Sequence, residues 1–347
     1  MGKVLVQKVG SVTSRLGELC AVNVTAERRL ARIGDVVAVR ALTESSTYGN
    51  LELPSGRLAK INRGDILLGA LGKRRALKGF VGNVPDTIGA GDQLHLLNMG
   101  GVIGLCEGHH SSLSDAIALE VIGTATDDSG IPLNIADGAL APAEILENSA
   151  PVVIIAGSCM NSGKTVAATE IIKQATTAGY RVAAAKISGV ACLRDTLNMK
   201  DHGAIATASF LDCGLPSTVD HSDLPAIAKA ILNHLNSIKP ELIVVELGDG
   251  IVGGYSVDEV LRDRDIMSAV TSLVFCASDY VGVIGGAEVL KNFGLKIDVV
   301  AGSVTDSQMG EDYILERLGL AAGNARRDGK RLFEIVAPGR EKVRLAA

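Results

Sequence analysis

Tryptophan is absent from the 347 residues, and Phe and Tyr together make up only 3% of them. That scarcity removes the stacking platforms on which proteins hold single-stranded nucleic acid. A formal charge of −5 with no basic run leaves little to engage a phosphate backbone, so no nucleic-acid partner is expected. Six cysteines (Cys20, Cys106, Cys159, Cys192, Cys213, Cys276) never stand in Cys-x-x-Cys spacing, which excludes the usual disulfide framework and structural zinc site and favours a reducing compartment. No apolar run approaches the length of a bilayer span, and Met1-Gly-Lys-Val-Leu lacks a signal-peptide core. Position 6 is Val6, so the myristoylation pattern fails as well. A cytoplasmic protein with no membrane partner is expected.

Core material is plentiful: 47% of residues are apolar and 21% charged, in a chain longer than one hydrophobic core usually serves. Two domains are expected, a β-rich one over residues 1–140 and an α/β one over 141–347. The first reads as hairpins, with short apolar or alternating segments at 4–9, 19–24 and 36–39 between turn residues. Gly-Asp precedes an apolar run three times, at Gly34-Asp35, Gly64-Asp65 and Gly91-Asp92, the chemistry of a repeated corner. Lys73-Arg-Arg75 with Lys78 forms its one dense basic patch, either a solvated loop or a rim for an anion. The glycine-rich 100–112 stretch carries Cys106, Glu107, His109 and His110. Adjacent histidines on a strand point to opposite faces, so a substrate-contacting loop is expected before a metal site.

The second domain turns on Val152-Val-Ile-Ile-Ala156, Gly157-Ser-Cys-Met-Asn-Ser-Gly163-Lys164-Thr165 and an Ala-rich helix from Val166 to Ala178. Strand, glycine-bearing loop and helix in that order make a phosphate-binding loop (P-loop). Gly163 lets backbone N–H groups turn onto phosphate, Lys164 supplies a point charge, and Thr165 offers its hydroxyl to Mg²⁺. Gly157, Ser158, Asn161, Ser162, Gly163, Lys164, Thr165 and Val166 are the expected nucleotide contacts, although Ser158 stands where the pattern wants glycine. Beyond it the rhythm is strand–helix, which predicts a three-layer P-loop domain with a mostly parallel sheet and its ligand at the strands' carboxyl ends. Glu246, ending the 242–247 strand, is the expected Mg²⁺ carboxylate, Asp249 the competing one, and Lys186 the charge that steadies a transferring phosphoryl group. Residues 141–148 read as a short linking helix.

The loop from Gly157 to Thr165, Lys186 followed by Gly189, and Glu246 followed by Gly248 resemble dethiobiotin synthetase and the cobyrinic acid a,c-diamide synthase group, over roughly residues 151–320. The resemblance implies ATP and Mg²⁺ as cofactors, Lys164, Lys186 and Glu246 as catalytic residues, and a homodimer. The implied activity is an ATP-dependent ligase or kinase acting on a small molecule. Cys159, Asn161, Ile187 and Leu247 depart from that pattern, which bears on the substrate. The alternatives are a regulatory or metal-delivery NTPase and a transferase using another phosphate-bearing cosubstrate such as coenzyme A. Asn-Lys-x-Asp is absent, with Ser303-Val-Thr305-Asp306 at the corresponding strand end, and ATP is therefore expected over GTP.

Overall fold

The computed structural model describes residues 2–17, 19–45 and 47–338. A ten-stranded, largely antiparallel sheet is built from the N-terminal residues, and a six-stranded sheet follows it in sequence. The last strand of the first sheet ends at Thr126 and the first strand of the second begins at Val152. All pairings in the second sheet are parallel, in the spatial order 206–209, 182–186, 242–246, 152–157, 270–276, 299–301. The chain starts in the middle, builds one side through residue 246, and then builds the other. The carboxyl end of the Val152–Gly157 strand is thus the switch point where such sheets open a crevice.

Burial on both faces explains why that strand reads as an unbroken apolar run. Val152, Ile154 and Ala156 pack on the side of helix α3 (Leu224–Asn236). Val153 and Ile155 pack with Ala167, Ile171 and Ala175 of helix α1 (Lys164–Thr177), spaced at four residues along one helical face. The layers are helix, sheet, helix: an α/β P-loop-type core preceded by a β-sheet domain. The N-terminal strands are double-faced too. Val37 and Val39 enter a core of their own domain, whereas Val36 and Ala38 join the cluster that contains Val152 and Ile154.

The three Gly-Asp copies form one kind of corner. Gly34, Gly64 and Gly91 all have φ between 84° and 90°. Each following aspartate accepts the N–H of the residue three places before it, Asp35 from Arg32, Asp65 from Asn62 and Asp92 from Gly89, and a strand begins next. Their surroundings differ. Asp35 is fully buried and also accepts from Asn134 at 3.0 Å and Arg29 at 2.7 Å, while the Asp92 carboxylate meets solvent. Removing the buried acceptor strands its partners, so Asp35→Ala should cost about 3 kcal/mol and Asp92→Ala about 1 kcal/mol or less. Urea unfolding of both variants tests this, and equal losses would mean that burial is not what separates the two corners.

Two expected helices are altered. Residues 141–148 form none, because Asn233 and Asn236 on α3 take up the backbone of this segment in extended form. Asn233 Oδ1 accepts from Glu147 N, its Nδ2 donates to Ile145 O, and Asn236 Oδ1 accepts from Ala150 N, all at 2.9 Å. Over 257–268 the sequence reads as one helix, and the structure has two, α4 (Val257–Arg262) and α5 (Arg264–Ala269), broken where Asp263 takes ψ 119° and caps Ile266 N. Among the described residues no helix is long and apolar enough to cross a membrane.

Candidate functional site

The strand leaves the sheet at Gly157, and α1 starts seven residues later with Gly163 as its N-cap at φ 102°. Glycine is required at 163 by space as well as by backbone, since a Cβ there would lie 2.8 Å from Gly302 Cα. Gly302 follows the 299–301 strand, and Ser303 N donates to Ser162 O. The loop after the last strand is therefore packed on the P-loop. On the other side Gly250 approaches so closely that a Cβ would meet Ser158 O at 2.5 Å. Within this collar the N–H groups of Met160 to Val166 find no backbone acceptor among the described residues. A row of unspent donors at a helix start is an anion cradle.

Lys164, only 5% exposed, donates from Nζ to Cys159 O at 2.8 Å. Burial, then the charge of Lys186, pulls it below the ordinary lysine value, with Glu246 opposing. The Thr165 hydroxyl donates to Glu246 Oε1 at 2.8 Å, and Lys186 Nζ reaches the same oxygen at 2.7 Å. Although burial would lower Lys186, Asp195 at 2.9 Å and then Glu246 hold its ammonium above the usual range. Glu246 is 1% exposed, and its other oxygen, Oε2, is buried with no hydrogen-bond partner among the described residues, as is the Ser162 hydroxyl. Asp249 stands further along, at φ 65°, its carboxyl pushed up by burial while Lys164 pulls it down. Of the two acids it is Glu246 that shares the Thr165 hydroxyl.

These residues fit a phosphate-bound Mg²⁺. A hard cation with reluctant dehydration takes one or two carboxylates and a hydroxyl beside phosphate oxygens, and the orphaned Glu246 Oε2 beside Thr165 is such a donor set. Sequence reasoning missed Asp195. It sits near the start of helix α2 (Arg194–Asp201), a polar stretch with no apolar run to draw attention to it.

The N-terminal candidates are placed less directly. Arg74 is buried and donates to Leu97 O and Tyr48 OH. Arg75 spends its guanidinium on Gly82 O and Asn83, and Lys73 pairs with Asp220 at 3.2 Å. The patch is thus a structural seam, with Arg75 N donating to Tyr255 OH, and the anion-rim reading is corrected. Gly100 does approach the second domain, since its Cβ would lie 2.1 Å from Ala191 O. His109 ends the Val102–His109 strand and His110 follows it, about 23 Å of strand beyond Val102. They bond locally to Asp115 and Ser112, and it is Gly100 of this stretch that meets the other domain.

No protein-family model matches the chain, and no curated protein does. Solved structures do, at low identity. Chloroplast FtsY from Physcomitrella patens matches at 13% identity and TM-score 0.38, covering 59% of this chain and 71% of that one. The signal recognition particle 54 kDa protein from Aeropyrum pernix, in complex with GDP, matches at 18% and 0.38, covering 56% and 47%. A duf1611 family protein from Anabaena variabilis matches at 13% and 0.42, covering 57% and 60%. These matches overturn the resemblance to dethiobiotin synthetase and the cobyrinic acid a,c-diamide synthase group, and with it the ATP-dependent ligase, kinase or transferase. ATP as the nucleotide is corrected too, one of the matched proteins holding GDP. The expectation of a chain with neither membrane nor nucleic-acid partner falls likewise, since matched structures include signal recognition particle proteins.

Proposed function

We propose that this chain is a regulatory P-loop protein that binds a guanine nucleotide with Mg²⁺ at residues 157–165 and uses hydrolysis to change how its N-terminal domain is held. The observation that carries the reading is the Thr165–Glu246 pair, 2.8 Å apart, beside a loop of unspent N–H donors. Lys164 and those N–H groups would bind the phosphates, Thr165 and Glu246 would hold Mg²⁺, and Lys186 would face the charge that develops on the transferring group. Bound Mg²⁺ supplies charge neutralisation on the phosphate oxygens. In the same reading residues 141–347 form the nucleotide domain and residues 1–140 the domain it controls.

The base assignment rests on Asp306. Its exposed carboxylate follows the loop that Gly302 packs against Gly163, and Asn324 Nδ2 steadies Oδ1 at 2.9 Å. Guanine presents an N–H and an NH₂ side by side, a donor pair that one carboxylate accepts and that adenine lacks. The regulatory assignment rests on what the N-terminal domain brings to this end of the sheet. Asn98 and Gly100 hold Ala191, and Lys73 and Arg75 hold Asp220 and Tyr255, which makes a clamp and not a second-substrate pocket.

Isothermal titration of the full chain with GDP, GTP, ADP and ATP, each with Mg²⁺, tests the reading. Guanine nucleotides should bind about tenfold or more tighter than adenine ones, and GTP should be hydrolysed slowly with no added metabolite. ADP binding as tightly as GDP would remove the guanine assignment, and no binding of any nucleotide would remove the function.

A further inference from the structure

Glu52 is an acidic residue of the N-terminal domain with no exposed surface. A carboxylate buried without partners would cost several kcal/mol, so its partners define what the position is for. Ser11 Oγ donates to Oε2, Leu193 N donates to the same oxygen at 2.7 Å, and the Cys192 thiol donates to Oε1 at 3.0 Å. Two of the three donors belong to the segment just before α2, in the other domain. Its neighbour Ala191 is held as well, by Asn98 Nδ2 on its carbonyl at 2.9 Å. The hairpin that carries Glu52 (strands Asn50–Glu52 and Leu58–Lys60) also reaches along α2, where a Cβ at Gly56 would strike Leu197 Cδ1 at 2.4 Å. The start of α2 is thus fixed from the N-terminal domain.

Asp195 is the second residue of that helix. Its Oδ2 lies 2.9 Å from Lys186 Nζ, which in turn lies 2.7 Å from Glu246 Oε1, the oxygen shared with Thr165. We infer that Asp195 is a positioning residue of the phosphate site, and that the N-terminal domain sets it through Glu52. This rests on the nucleotide-binding reading above and deepens it. Glu52 fixes residues 192 and 193, the first turn of α2 follows, and the Asp195 carboxylate holds the Lys186 ammonium at the strand end beside Glu246. A lysine side chain has four rotatable carbons, and without a second carboxylate its charge is not confined to one place. Movement of the N-terminal domain would then move a charge at the phosphate site without that domain touching the nucleotide.

The test uses the full chain with ¹³C-labelled lysine side chains, the Lys186 resonance being assigned with Lys186→Arg. Asp195→Asn and Glu52→Gln should each shift that resonance with no nucleotide present. In turnover, Asp195→Asn should lower kcat about 10- to 100-fold while KM changes by less than about threefold, with Asp195→Glu recovering part of the loss. Should Glu52→Gln fail to fold, Leu197→Ala loosens the same contact without touching a buried charge and takes its place. A Lys186 resonance unmoved by the Asp195 change overturns the positioning role, and one that moves with Asp195 but not with Glu52 or Leu197 overturns the link to the N-terminal domain. Failure of the wild type to bind nucleotide would remove the nucleotide reading while the resonance shifts still decide the positioning.

Discussion

Lys164→Ala is expected to lower kcat for nucleotide hydrolysis about 100- to 1000-fold while leaving the nucleotide-free protein as stable as the wild type or more so. The loss follows from removing a preorganised positive charge at the place where phosphate charge develops. The stability follows from burial. Without nucleotide the ammonium is almost wholly out of solvent, donates to Cys159 O as its one hydrogen-bond acceptor among the described residues, and is held below its ordinary pKa by desolvation. An uncompensated buried charge costs free energy that alanine does not. Turnover and thermal melting of the two proteins, measured without ligand, separate the effects. An unchanged kcat would remove the phosphate-loop assignment, and a large loss of melting temperature would mean that the lysine is chiefly a packing residue.

Glu246→Gln should lower kcat about 100-fold and raise the Mg²⁺ concentration needed for half-maximal turnover, while changing the GDP Kd by less than about tenfold. One oxygen of the carboxylate accepts from both the Thr165 hydroxyl and Lys186, and the other has no hydrogen-bond partner among the described residues. An amide retains the shape but loses the charge that a divalent ion needs. Asp249→Asn is the control, expected to stay within about tenfold of wild type in kcat. A larger effect at Asp249 than at Glu246 would move the metal-side carboxylate to the glycine-rich loop.

Much of the α/β domain was legible because its strands are buried on both faces. Val152–Gly157, Leu242–Glu246 and Val270–Cys276 appear as apolar runs, and Gly163-Lys164-Thr165 marks where the first of them opens. The edge strand Ala206–Ser209 was missed because Ala, Thr and Ser give a short stretch no β-branched run. Helix α2 and the helix over Ala325–Val336 were missed for the opposite reason, half of each being charged residues. Tertiary contacts overrode local preference at 141–148, where two asparagines of α3 claim the backbone. Asp195 shows the limit most plainly. Its partner Lys186 was expected at a strand end, but eight residues of loop and helix lie between them, and tertiary folding brings the carboxylate back.

The apolar cluster shared by Val36 and Ala38 with Val152 and Ile154 bears on how the chain comes apart. Two domains joined through one apolar cluster are not expected to unfold as independent beads, because melting either one exposes part of that cluster to water. The α/β domain cut away at residue 141 would carry that bared surface, and any nucleotide affinity measured on it would report on a weakened scaffold as much as on the loop. Heat, denaturant and a protease should then meet the two domains as one cooperative body, with local opening of its weakest surface segment setting its lifetime.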